Sequence, residues 1–362
     1  MGASGVHKQA IVVKISPENP DRTLIERVAG ILKMGGLVAF PTETVYGLGA
    51  VASIHEAVLR IFKVKGRPPD NPLILHLASP DWLHSVARDV PELAFKLAER
   101  FWPGPLTLIL YRGEKVLDEV TAGLPKVAVR VPSHPVALGL IEEVGEPIAA
   151  PSANKSGRPS PTRAEHVLED FDGEIDAVID SGETLHGVES TIIDLTENPP
   201  VLIRPGALPV EDVERLVGQK IVVPSFARGL GEAERAIAPG TKYRHYAPKA
   251  EMVVVELDNY SDLARLAEKV REIAVEKASR GLRVGILCSD ETLHYYEGFK
   301  EVLSLGPRGN MFVVARNLFG ALRELDRRGV DFIVAEGFEE RGLGLTVMNR
   351  LRKAAGFKIV TA

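Results

Sequence analysis

Residues 251–287 run EMVVVELDNYSDLARLAEKVREIAVEKASRGLRVGIL. Met252 to Glu256 and Arg283 to Leu287 read as strands, and Ser261 to Ala278 between them as a helix. The alternation continues downstream. Glu301 to Leu305 reads as a strand, Met311 to Arg328 as a helix, Phe332 to Ala335 as a strand and Gly344 to Ala355 as a last helix. Strand and helix in strict alternation predict a parallel, Rossmann-like sheet over residues 250–362.

Upstream of that block the pattern changes. After a helix at Val210 to Val217, the segment PSFARGLGEAERAIAPGTKYRHYAPK shows no clear secondary structure. A connection this long is a flexible linker or a functional lid. Residues 207–249 are read as the linker. Its end carries Tyr243, Arg244, His245 and Tyr246, where a solvated spacer would be rich in Gly and Ser.

Residues 1–206 form the first block, mixed α and β. Asp21 to Lys33 has helical spacing, with Asp21 as N-cap and Gly35-Gly36 as the stop. Ile54 to Phe62, Pro91 to Phe101 and Val136 to Val144 are further helices. Ile11 to Ile15, Leu37 to Phe40, Leu73 to Leu77, Leu106 to Leu110, Lys126 to Val131 and Pro147 to Ala150 read as strands. Ala177 to Asp180, Thr191 to Asp194 and Val201 to Arg204 complete the strand set. The expected architecture is α/β throughout, with two domains.

Composition bounds the function. The 362 residues are 45% apolar and 26% charged, which excludes a mainly disordered chain. The net charge of −5 argues against a protein that coats nucleic acid, although a local basic cleft is compatible with it. Cys288 is the one cysteine, so neither a disulfide framework nor a multi-cysteine zinc site can form. No apolar run is long enough to span a membrane, and the N-terminus lacks the pattern of a secretory signal. A cytoplasmic protein is expected.

Chemistry-bearing residues cluster in short segments at strand ends, where α/β proteins commonly place their sites. Phe40 to Gly49 offers hydroxyls for a polar substrate, or a plain turn. Gly47 to Ala52 imitates a dinucleotide fingerprint but lacks the acidic residue beyond a second strand. Lys63, Lys65 and Arg67 precede paired prolines, which stiffen a loop suited to phosphates; a solvated basic loop is the alternative. Arg130 interrupts an apolar strand and needs a carboxylate, from the protein or from an amino-acid substrate. Ala149 to Gly157 could bring backbone N–H groups close to phosphate. No Walker-type, nucleophile-elbow or zincin motif occurs.

Taken in order, PTETVYGLGA, KGRPPDNPL, VRVPSHP, APSANKSG, ESTIID, RPG and KYRHYAP resemble the YrdC/Sua5 family, the threonylcarbamoyl-AMP synthases. The resemblance spans the whole chain. It implies a YrdC-like twisted α/β domain over a basic cleft at 1–206, a linker or lid at 207–249, and a smaller Sua5-type Rossmann-like domain at 250–362. It also implies the reaction: L-threonine, bicarbonate or CO2, and ATP with Mg2+ give threonylcarbamoyl-AMP and pyrophosphate. The product would pass to the tRNA threonylcarbamoyl transferase machinery for N6-threonylcarbamoyladenosine modification, which admits a weak contact with tRNA.

By the family pattern, Lys65, Arg67, Ser152 and Asn154 line the reaction site. Arg67, Asn71, Lys126, Ser152, Ser160, Arg204 and Tyr243 would contact ATP. Thr44, His76, Arg130, Ala150 and Ser190 would surround threonine, with Arg130 facing its carboxylate. Tyr243, His245 and Tyr246 would form the lid that keeps water from the unstable carbamate. No protein side chain is assigned to a metal. Three other readings compete: an RNA-binding module, a hydrogenase-maturation carbamoyltransferase, which the single cysteine disfavours, and a ligand-sensing regulatory partner.

Overall fold

Asp21 caps the first helix of the computed structural model, its Oδ1 accepting from the Leu24 N–H at 3.1 Å. The structure describes residues 9–243 and 245–362. Arg244 and the N-terminal stretch read for a secretory signal therefore lie outside the described residues. By internal contacts the chain forms two compact units, Met1–Ser156 with Pro161–Thr184, and Gly157–Ser160 with Leu185–Ala362. Residues 185–206, at the end of the first sequence block, thus fold with the second unit.

The first unit runs β1 (Ile11–Lys14), α1 (Arg22–Lys33), β2 (Val38–Phe40), β3 (Gly47–Val51), α2 (His55–Lys65) and β4 (Ile74–His76). It continues through α3 (Leu83–Val86), β5 (Ala87–Arg88), α4 (Glu92–Phe101), β6 (Leu106–Arg112), α5 (Asp118–Thr121) and β7 (Lys126–Arg130). α6 (Pro135–Val144), β8 (Ile148–Ala149), α7 (Ala164–Phe171) and β9 (Ala177–Asp180) complete it. Its strands lie in the order β1-β9-β2-β3-β8-β4-β7-β6, with β5 on β6. β2, β3 and β4 are buried at every position, as expected of strands covered on both faces. α1 buries Ile25, Val28, Ala29 and Leu32, a 3.6-period stripe. It joins Val136, Leu140 and Ile141 of α6 in one core.

The short elements α3, β5 and α5 are additions to the sequence reading, and three further details differ from it. α2 does not stop at Phe62 but runs to Lys65, so Lys63 and Lys65 sit in a helical last turn and not in a loop. Gly66 ends the helix in the left-handed conformation at φ 60°. The glycine-rich Gly47–Val51 is a strand: a Cβ on Gly49 would stand 2.7 Å from Phe40 and 2.8 Å from Ile148. Gly49 is thus required by packing and not by a turn, whereas a Cβ on Gly47 would meet its nearest neighbours at 3.4 Å. α7 was not anticipated, because no side chain caps its N-terminus.

The second unit begins with the antiparallel pair β10 (Thr191–Asp194) and β11 (Val201–Arg204), then α8 (Val210–Val217). Only a 3-10 turn at Ser225–Arg228 and an isolated bridge at Val222 interrupt the irregular stretch that follows, among the described residues. Next come β12 (Glu251–Glu256), α9 (Leu263–Ser279), β13 (Val284–Cys288), β14 (Glu301–Ser304), α10 (Met311–Arg327), β15 (Phe332–Glu336), α11 (Leu343–Ala354) and β16 (Ile359–Thr361). The sheet order is β14-β13-β15-β12-β16. Every pairing is parallel, as the alternation predicted. α9 closes one core against β12, β13 and β15 through Leu266, Ala267 and Val270.

Candidate active site

The register of β4 against β7 sets His76 opposite Arg130 at the carboxyl ends of two parallel strands. Arg130 is buried. Its Nη2 donates to Glu43 Oε1 at 2.5 Å, Nη1 to Thr44 Oγ1 at 3.0 Å and Nε to the Gly104 carbonyl at 3.3 Å. Of the two partners open to it, the protein carboxylate is therefore present: Glu43, in the loop between β2 and β3. The other Glu43 oxygen accepts from the Ser133 N–H at 3.1 Å. Burial alone would raise the Glu43 carboxyl, but Arg130 outweighs it and holds the group below its ordinary range.

His76 is buried, and its Nδ1 lies 3.2 Å from the Ile74 carbonyl. Burial, then the nearby Arg130 charge, pushes its pKa down to about 3. The ring is neutral at physiological pH, so no second cation crowds Arg130. Ala150 stands on the next strand end, its N–H donating to Ile74 O at 3.0 Å. The structure thus brings together Thr44, His76, Arg130 and Ala150.

Lys65 is also buried. Its Nζ donates to the carbonyls of Ser152 and Asn154. Ser156 N returns a bond to Lys65 O at 2.9 Å. Burial first, then Arg67, holds the Lys65 ammonium well below its ordinary pKa. Arg67 folds back on its own loop, bonding Asn71 Oδ1 at 2.8 Å, Asn71 O at 2.9 Å and Pro72 O at 2.7 Å. These three bonds clamp the loop that carries the paired prolines. Lys126 lies at the far end of β7 from Arg130, opposite Tyr111.

In the second unit, Ser160 Oγ donates to Glu189 Oε1 at 2.5 Å. Arg350 Nη2 reaches Glu189 Oε2 at 2.8 Å. Burial would raise Glu189, but Arg350 and then Arg204 outweigh it and keep the carboxyl low. Arg204 holds the Ser190 carbonyl at 3.0 Å and the Pro239 carbonyl at 3.1 Å. Tyr246 is buried against Phe319 and under the Arg350 guanidinium. Tyr243 and His245 are half-buried. The Lys242 ammonium covers the Tyr243 ring at 5.0 Å, and His245 Nε2 lies 2.6 Å from Lys242 O.

Sequence models of two families match the chain. One, described as Telomere recombination and named for Sua5, YciO and YrdC, covers residues 30–206. The other, the threonylcarbamoyl-AMP synthase C-terminal domain, covers residues 208–356. The threonylcarbamoyl-AMP synthase of Pyrococcus abyssi is 53% identical over 93% of this chain and 95% of its own length. The chain belongs to the Sua5 family of threonylcarbamoyl-AMP synthases.

The Bacillus subtilis threonylcarbamoyl-AMP synthase is 46% identical over 93% of this chain and 94% of its own. The crystal structure of P. abyssi Sua5 complexed with L-threonine superposes with a TM-score of 0.91 at 52% identity, covering 98% of this chain and 100% of that one. The Sua5 assignment gives new weight to residues that sequence reasoning left without a role. Glu43 stood inside the quoted PTETVYG run, and a carboxylate there was the available signal for the partner of Arg130. Glu189 opened ESTIID in the same way. Arg350 gave no signal, because nothing in a helix pattern marks an arginine as buried.

Proposed function

We propose that this Sua5-family synthase forms threonylcarbamoyl-AMP from L-threonine, bicarbonate or CO2, and ATP, with pyrophosphate as the second product. The observation that carries the substrate assignment is the buried Arg130, clamped by Glu43 and Thr44 beside a neutral His76. A guanidinium has five N–H donors, and the bonds to Glu43, Thr44 and Gly104 use three. Two remain for a substrate carboxylate, in a planar geometry fixed by those bonds. The relative crystallised with L-threonine supports the same choice. Thr44, His76, Ala150 and Ser190 are assigned to the rest of the amino acid.

The chemistry needs alignment more than acid–base catalysis. The threonine amine attacks the carbon of CO2, forming the N–C bond of a carbamate and releasing a proton. A carbamate oxygen then attacks the α-phosphorus of ATP, and the bond to the leaving pyrophosphate breaks. Arg67, Asn71, Lys126, Ser152, Ser160, Arg204 and Tyr243 are assigned to the nucleotide. Asn154 and Ser152 belong to the loop that Lys65 holds, so Lys65 acts through the position of that loop. Tyr246 serves as the buried anchor of a lid that includes Tyr243 and His245.

Magnesium enters the proposal as the counter-ion of ATP. Among the described residues no group of three or more His, Cys, Asp or Glu side chains is placed to hold a metal. Its ligands would be phosphate oxygens and water, and no step is assigned to it. A cytoplasmic location and delivery of the product to the tRNA-modifying transferase belong to the same reading. No described helix is long and apolar enough to cross a membrane.

Mass spectrometry tests the proposal. A reaction with ¹³C-bicarbonate should yield an adenylate carrying threonine and one ¹³C. Unlabelled AMP as the sole adenine product would overturn it.

A further inference from the structure

The Rossmann-like sheet of the second unit has a cavity of about 780 Å³ that shares no residue with the motifs above. It opens at the carboxyl edge of the parallel strands. Tyr260 follows β12, Glu291 follows β13, Arg308 follows β14, and Phe338 follows β15. The chain leaves β13 toward its neighbour β14, and leaves the adjacent β15 the other way, toward β16. Open α/β sheets bind ligands in the crevice at such a reversal. The volume lies within the range of small-molecule sites.

The polar centre of this cavity is a fixed arginine. Arg308 Nη2 donates to Glu336 Oε2 at 2.8 Å, and its Nε to Ser289 Oγ at 2.9 Å. Glu336 is fully buried and also accepts from Tyr296 Oη at 2.5 Å. The guanidinium stands over the Phe338 ring at 4.5 Å and the Tyr260 ring at 5.4 Å. Two bonds and two rings hold it in one plane, and Nη1 takes no part in those bonds. A rigid, partly exposed guanidinium in a cavity suits phosphate.

The neighbouring backbone agrees with that charge. The first turns of α10, at Met311, and of α11, at Leu343, both line the cavity, and helix starts favour anions. The N-cap of α11, Gly342 at φ 56°, offers no side chain, and its own N–H donates to a carboxylate, Glu211 Oε1, at 3.0 Å. Of the acids on the wall, Glu291 is engaged with the Arg308 N–H at 3.0 Å, and Glu339 is exposed at the rim.

We propose that the second unit carries a binding site for a phosphate-bearing ligand of nucleotide size, in the cavity at Arg308. The site is independent of the ATP-using reaction assigned above.

Calorimetric titration of the full chain with AMP, inorganic phosphate and adenosine tests it. Three variants divide the possibilities. Arg308→Met removes the guanidinium but leaves Glu336 buried without it, which endangers folding. Gly309→Glu avoids that risk: it lines the cavity, a Cβ there meets nothing within 4 Å, and it adds a repelling carboxylate. Arg67→Ala addresses the reaction site instead.

AMP should bind with an affinity that falls at least about tenfold in Gly309→Glu and persists in Arg67→Ala. Adenosine should bind far more weakly than AMP. Inorganic phosphate should compete with AMP in the wild type and not in Gly309→Glu. AMP binding abolished by Arg67→Ala and unchanged in both Arg308→Met and Gly309→Glu would overturn the site. So would no binding of AMP or phosphate to folded wild type, whatever the synthase assay shows.

Discussion

Arg130 Nη2 stands 2.5 Å from Glu43 Oε1, and the two side chains are 4% and 5% exposed. The pair explains how an arginine survives inside an apolar strand. It also separates a structural role for Arg130 from a substrate role. Removing Arg130 alone leaves a buried, unpaired carboxylate, at a cost of about 3–5 kcal/mol.

Arg130→Met should therefore unfold at markedly lower denaturant, while the double variant Arg130→Met with Glu43→Gln recovers most of that loss. Both should raise the threonine KM by about 100-fold, the scale of one lost charged hydrogen-bond pair. The ATP KM should barely move. Steady-state kinetics on the double variant decides the point, and equal rises in both KM values would remove the carboxylate assignment.

Glu43 also predicts an acid limb. Its carboxyl titrates below the ordinary range in the folded chain. The stabilisation it gives is complete above the unfolded glutamate value of about 4.3 and is lost as pH falls through the lower folded value. Urea midpoints at pH 3 and pH 5 should differ more for wild type than for Glu43→Gln. The same difference in both would rule out a folded-state shift.

Lys353 carries a pH dependence of the same sign at higher pH. It is buried, donates to the Gly240 carbonyl, and has its pKa pushed down to about 7 by burial, with Arg350 the next cause. Unfolded lysine titrates near about 10.4, so between the two values the unfolded chain holds more protons. Stability contributed by this site rises with pH across that window, at most by about 1.4 kcal/mol per unit. Relative to Lys353→Met, wild type should gain thermal stability between pH 7 and pH 9. A constant difference would show that Lys353 stays charged.

Lys65 ties α2 to the loop carrying Ser152 and Asn154. Lys65→Met leaves two carbonyls without their donor and lets that loop shift. Misplacement on the ångström scale can cost about 100-fold in rate, so kcat for pyrophosphate release should fall on that order. Lys65→Arg should not restore it, because the longer fork does not fit the same two carbonyls. An unchanged kcat in Lys65→Met would reject the role.

Much of this was legible in the residues. The helix Val210–Val217 was read with the bounds it has, and the second-unit alternation fixed a parallel sheet. Asp21 announced its helix because capping chemistry is local. What remained hidden depends on distant partners. The strand Gly47–Val51 looks like a loop until Phe40 and Ile148 occupy the space of a side chain. The bonds from Arg67 to Asn71 and Pro72 of its own loop were likewise not marked by any pattern in the residues. The Arg350–Glu189 pair joins residues 161 positions apart, beyond any sequence window.

Pyrophosphate release from ATP by the purified full chain tests the central claim most directly, with threonine and bicarbonate each present or left out. Release that requires both, and is much weaker with serine in place of threonine, is the predicted result. Release with neither, or none under any condition from folded protein, would contradict it.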